Sequence, residues 1–236
     1  TVEWLPVLDV DPEEFDEIVR AGEEKQTIMR LGNKGAGTMD FEISVGPGVP
    51  ASSEWTGSIV PEPAKGGGSI IKVDPLSGHL APGESRDIIL TLGSPDAVCG
   101  TYSLCLYVSA NDPQRPFAVI PVTLKINVPP AIEIKAPVGG DELHKECEIK
   151  WTATDPDDDN DDLLIDLAWT RDGVEWHDLG TGLSNTGAFE WNTIEVGKAG
   201  DSFRLRARVT DPTGAYHEFV TGEFTIINNA PTADFG

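Results

Sequence analysis

Apolar residues recur at every second position through most of this chain, and turn-forming residues separate the runs. Phe41, Ile43 and Val45 alternate with Glu42 and Ser44; Ile88, Leu90 and Leu92 with Ile89 and Thr91. Tyr102, Leu104, Leu106 and Val108 alternate with Ser103, Cys105 and Tyr107, and Ile120, Val122, Leu124 and Ile126 with Pro121, Thr123 and Lys125. A period of two is that of a strand with one buried face. The stretch PEEFDEIVRAGEEK has helical propensity, but Gly22 and the turn-like AGEE break it, so we read an edge strand followed by a turn. The pattern predicts an all-β chain.

The segment Cys147 to Trp169 repeats this design around a loop made largely of aspartate. Cys147, Ile149, Trp151 and Ala153 share one parity, and Leu163, Ile165, Leu167 and Trp169 another. Between them lie Asp155, Asp157, Asp158, Asp159, Asp161 and Asp162, whose mutual repulsion must be offset by solvent, counterions or a bound cation. Farther on, Phe203, Leu205, Ala207 and Val209 alternate with Arg204, Arg206 and Arg208. Three arginines on one outer face pair most simply with carboxylates across strands, and anchoring of an anionic ligand is the alternative.

A length of 236 residues suits two sandwiches better than one. Val128, Pro129 and Pro130 mark the boundary, because paired prolines stiffen a connection and hold the preceding residue extended. We therefore expect domains at 1–128 and 129–228, with limited swing between them, and a linker or first strand of a further module at 229–236. The stretch from Pro47 to Gly68 is a long insertion rich in Pro, Gly and Ser, with Trp55 at its middle. That tryptophan either folds back on the sandwich or is an exposed contact residue.

A net charge of −23 repels nucleic-acid phosphates and anionic lipid, which argues against both as partners. The charge is spread, with −9 in the first 128 residues and −14 in the rest. No apolar run is long enough for a membrane helix, and the opening residues lack a signal-peptide pattern, so the sequence reads as a mature or excised piece. Three cysteines cannot all pair with one another. A Cys99–Cys105 bridge would be strained in an extended segment, and Cys147 reads as a small core residue.

The order DVDP, AGEEKQTIMRLGNKGAG, IKVDPLSGHLAPGESRDIILTL and CGTYSLCLYVSANDPQRPFAVIPVTLKI resembles immunoglobulin-like repeats of the ASPM-SPD2-Hydin type. Such repeats are appended to secreted subtilisin-type proteases and to bacterial and archaeal surface proteins. The insertion after Pro47 departs from their pattern. The later line ECEIKWTATDPDDDNDDLLIDLAWTRDGVEWHDLGTGL through FRLRARVTDPTGAYHEF resembles fibronectin-III-like and Kre9/Knh1-like modules of secreted hydrolases and cell-wall proteins. The final NNAPTADFG is similar to the first strand of a PKD-type module. These resemblances imply two tandem immunoglobulin-like β-sandwiches, extracellular or at the cell surface, with neighbouring domains of a longer chain as partners.

Hard cations take six to eight oxygens, so carboxylates at Asp155, Asp157, Asp159 and Asp161, closed by Asp211 of the parallel phrase VTDPTG, form a candidate Ca2+ site. It is not an EF-hand, because Asn160 stands where that loop needs glycine, and a water-facing aspartate loop needs no metal at all. No nucleophile elbow, HExxH or phosphate-binding loop occurs. We therefore expect a non-catalytic spacer or adhesion module, calcium-stabilised if the site is real. The alternatives are a glycan-binding accessory module using Trp55 or Trp176, and a self-associating subunit of a fibre or surface layer. In the hairpin resemblance the tryptophans pack inward.

Overall fold

Each alternating run places its apolar set on one side of a pleated strand, so two sheets facing each other bury both sets at once. The computed structural model describes residues 4–48, 69–196 and 200–227. Trp55, nearly all of the insertion and the segment 229–236 lie outside the described residues. The chain is all-β and divides into two compact units, Thr1–Asn127 and Val128–Gly236.

In the first unit the strands are β1 (Leu8–Asp11), β2 (Phe15–Arg20), β3 (Glu24–Asn33), β4 (Met39–Pro47), β5 (Ile71–Asp74), β6 (Ser77–Leu80), β7 (Ser85–Gly93), β8 (Gly100–Ala110) and β9 (Phe117–Asn127). They form a four-stranded sheet, β1-β3-β7-β5, and a five-stranded sheet, β2-β9-β8-β4-β6. The helix-prone stretch is strand β2, paired parallel with β9, and Gly22 turns the chain at φ +84°. The parities hold at the level of single residues. Ile88, Leu90 and Leu92 are fully buried, whereas Ile89 between them is 40% exposed. Cys105 keeps its outward parity but is nonetheless buried, outside the core cluster. It lies opposite Gly46 and Pro121, and the neighbouring Tyr107 ring lies across Gly46, where a Cβ would come within 2.9 Å of it. The three cysteines are free.

Two buried polar side chains hold the turns of this unit. The Asn33 carboxamide is shared among three segments, at Val7, at Gly35 and Gly37, and at Leu80. Asp112 accepts the Leu8 N–H at 2.9 Å and the Gln114 N–H at 2.8 Å, tying β1 to the turn after β8. The Leu8 hydrogen bond, with further help from Gln114 and Arg115, holds the Asp112 carboxyl below the usual aspartate range despite its burial. A depressed folded pKa gives stability that is complete above the unfolded value of about 3.9 and lost as pH falls through the folded value. Asp112→Ala is expected to cost about 1–3 kcal/mol at neutral pH by stranding the Leu8 amide. In urea melts the gap between wild type and variant should narrow as pH falls below about 4, as the part owed to the ionised carboxylate is lost.

The second unit contains β10 (Ala131–Ala136), β11 (Glu142–Leu143), β12 (Glu146–Thr154), β13 (Leu164–Thr170), β14 (His177–Ser184), β15 (Ala188–Asn192), β16 (Gly200–Thr210), β17 (Tyr216–Val220) and β18 (Phe224–Ile226). One sheet is β10-β12-β15; the other is β11-β18-β16-β13-β14, with β17 also on β16. Ile149, Trp151, Leu163, Ile165, Leu167, Phe203, Leu205 and Val209 share its core, as their parities predict. Each unit thus has its own closed apolar cluster. These are two consecutive β-sandwiches.

Candidate functional site

Two Asp-Pro corners build the site. Asp155 follows β12 and Asp211 follows β16, strands of opposite sheets in the second sandwich. Proline has no N–H, so each aspartate caps amides farther along. Asp155 Oδ1 accepts from the N–H groups of Asp157 and Asp158 at 2.8 and 2.9 Å. Asp211 Oδ1 accepts from the N–H groups of Thr213 and Ala215 and from the Thr213 hydroxyl, at 2.8, 2.9 and 2.7 Å. Both turns are curled by their own first residue.

This curling decides which carboxylates meet. The loop is not extended, so alternate positions do not share a face; Asp158 returns over Asp155. Carboxylate oxygens of Asp155, Asp158 and Asp211 lie within 4.8 Å of one another. Among the described residues this is the one grouping of three histidine, cysteine or acidic donors. Asp211 is buried, 5% exposed, and Asp155 Oδ2 is shielded from solvent with no hydrogen-bond partner.

The other sequence candidates are engaged elsewhere. Asp157 Oδ1 accepts the Val128 N–H at 3.0 Å. Asp159 caps the short 3-10 turn Asn160–Asp162 through the Asp161 N–H, and Asp161 is an exposed member of that turn. Asn160 receives the Asp155 N–H on its side chain, while its carbonyl accepts from Asn185. Asp158, which spacing alone overlooked, carries one signal in the sequence: an Asp-Pro corner turns the third residue after the aspartate back toward it.

Three carboxylates so close repel, by about 3.5 kcal/mol per pair at an effective dielectric of roughly 20. A cation relieves that repulsion. The donor set is all oxygen, which suits Ca2+ or Mg2+, and three side chains leave room for water ligands. The fit is that of a weak site with few charges.

The arginines of β16 behave differently from one another. Arg204 pairs with Glu223 at 2.6 Å. Arg206 instead lies over the Trp176 ring, 4.7 Å from its centroid, and Arg208 over the Tyr216 ring at 3.6 Å. Cross-strand carboxylate pairing accounts for one of the three. Trp169 packs against Trp191 and Phe203 at the core, but Trp176 stays outside beneath its guanidinium. Burial pushes the Cys147 thiol up to about 11, so it stays protonated at neutral pH. His177 stacks on Trp169, and His217 Nδ1 accepts the Ile132 N–H at 3.4 Å.

No protein-family model and no curated protein matches this sequence. Among solved structures, a PapD-like domain of human CEP192 is similar over 53% of this chain and 89% of its own, at 15% identity and a TM-score of 0.38. Fibronectin(III)-like modules of Clostridium thermocellum CbhA match over 94% and 95%, at 15% identity and 0.37. The four N-terminal immunoglobulin domains of Dscam1 isoform 1.9 match 97% of this chain, which spans 47% of theirs, at 11% identity and 0.39. At these values none of them carries a function to this chain.

Proposed function

We propose that this chain is a non-catalytic spacer of an extracellular or cell-surface protein, and that its second sandwich is stabilised by a divalent cation, Ca2+ first, at Asp155, Asp158 and Asp211. The single observation behind the cation is the meeting of these three carboxylates, one oxygen of Asp155 being buried without a hydrogen-bond donor. Support for the spacer comes from the division of labour among side chains. The aspartates fasten turns, three guanidinium groups lie over aromatic rings, and the remaining order comes from two separate apolar cores. Cation binding would hold two corners from opposite sheets together, resisting their separation under load.

Thermal melts with calcium and with chelator test this reading. Calcium at about a hundred times its dissociation constant should add about 2.7 kcal/mol, and the affinity expected for such a site is roughly 0.1–1 mM. Asp158→Asn should abolish the increment, while Asp161→Asn should keep it. Superimposed melting curves in the two buffers would remove the cation. A pull-down on insoluble polysaccharide separates the spacer from a glycan-binding accessory module, since a spacer retains nothing.

A further inference from the structure

The outer face of β16 carries two arginines with no charged partner in a chain of net charge −23. Among the described residues neither Arg206 nor Arg208 makes a salt bridge or a side-chain hydrogen bond. Arg208 Nε is screened from solvent and has no acceptor. This is not for want of nearby acids. Asp166 and Glu218 stand in register on either side of Arg208, yet Asp166 accepts the Gly182 N–H at 2.8 Å, and Glu218 is exposed on β17 without reaching the guanidinium. Trp176 and Tyr216 hold the two guanidinium planes instead. Stacking fixes a fork and leaves its edge N–H groups free to donate, which is the arrangement that receives a planar carboxylate.

The surroundings of the pair narrow the ligand. Beyond Arg208 the next row across the sheet is Leu164, Thr210 and Tyr216, of which Leu164 is 50% and Tyr216 52% exposed. Val220, opposite Arg206, is also exposed. Arginine, tryptophan and tyrosine beside open aliphatic side chains are the composition of a protein-binding surface. A sugar ring would need bare aromatic faces, and here each ring already has one face covered by a guanidinium. Spacing agrees. Alternate residues of a strand lie roughly 7 Å apart, so acidic side chains at alternate positions of an extended peptide match Arg206 and Arg208 one to one.

We propose that this face, distinct from the aspartate corners and independent of the cation reading, docks an extended acidic polypeptide segment of the form Leu-x-Glu-x-Glu. The two Glu carboxylates take the guanidinium edges of Arg206 and Arg208, and the Leu meets Leu164 and Tyr216. The net charge of the chain does not prevent this. At physiological ionic strength charges beyond about 8 Å are screened, and the contact itself is governed by the guanidinium pair.

The test uses the whole chain with a fluorescein-labelled Leu-x-Glu-x-Glu peptide, its Gln counterpart, and oligogalacturonate as the anionic glycan. The acidic peptide should bind and shift the Nε resonances of Arg206 and Arg208, and the Gln peptide should not. R206Q with R208Q should weaken binding by about tenfold or more. E218Q, at an exposed strand position that leaves folding intact, should tighten it a few fold. An acidic peptide that leaves both resonances unmoved, oligogalacturonate that moves them in its place, or resonances that move with protein concentration alone would each overturn the proposal. The last two outcomes give the face to a glycan or to a second copy of this chain.

Discussion

Replacing Phe203 by alanine is expected to cost about 3–5 kcal/mol, a large share of the roughly 5–15 kcal/mol that holds an ordinary domain together. Phe203 is fully buried on β16, with its ring centroid 5.7 Å from that of Trp169 and 6.2 Å from that of Phe224. Trp191 in turn packs on Trp169 and Phe224, so four rings interlock between the two sheets. Truncation removes the transfer free energy of one ring and leaves a cavity that the other large rings fill poorly. It also strips Arg171 of the ring it lies over at 4.9 Å. Phe203→Leu keeps most of the volume and should cost less than half as much. Urea melts followed by tryptophan fluorescence resolve the two, because the indoles of Trp169 and Trp191 report on this cluster. A cost below about 1 kcal/mol for the alanine variant would show that these rings do not form a common core.

Asn33→Ala is expected to destabilise the first sandwich by a similar amount, about 3–5 kcal/mol, through unmade hydrogen bonds instead of a cavity. Asn33 is 1% exposed and uses its whole carboxamide. Its Oδ1 accepts from the Val7 and Gly35 N–H groups at 3.1 and 3.0 Å. Its Nδ2 donates to the carbonyls of Gly37 and Leu80 at 2.7 and 3.1 Å, with a longer contact of 3.3 Å to Ala81. Alanine would strand backbone groups of three separate segments in an apolar setting, each costing about 1–3 kcal/mol where water cannot enter. Asn33→Asp keeps the acceptor and loses the donors, so it should fall between wild type and alanine in stability below the aspartate pKa and approach alanine above it. Because the two sandwiches have separate cores, the first transition should shift while a second-unit probe at Trp191 holds its midpoint.

Turn chemistry was as legible in the sequence as the strands themselves. The pair Pro82 and Gly83 predicts a tight turn, and the chain there closes from Glu84 N–H to Ala81 C=O at 2.9 Å with Gly83 at φ +76°. The helix-prone stretch resolved as β2 because Phe15 and Val19 bury against the sandwich, a packing gain that outweighs local propensity. Cys105 keeps its parity and is the exception only in being buried, since its neighbours Gly46 and Tyr107 lie on the same outer face and it is not part of the core.

Alternation and turn residues by themselves determined that this chain is all-β and which side of almost every strand faces inward, because side-chain direction in a strand is a local property with a period of two. Which charged groups meet was settled only by tertiary structure. Asp155 and Asp211 are brought together with Asp158, and not with Asp157, Asp159 or Asp161, because Asp-Pro corners coil the loop and two sheets end at the same place. Arg206 and Arg208 find rings where Arg204 finds a carboxylate, because the 171–176 turn and β17 deliver Trp176 and Tyr216 to that face. Such meetings depend on how distant segments close over one another, and a residue's position along its own strand carries no record of that.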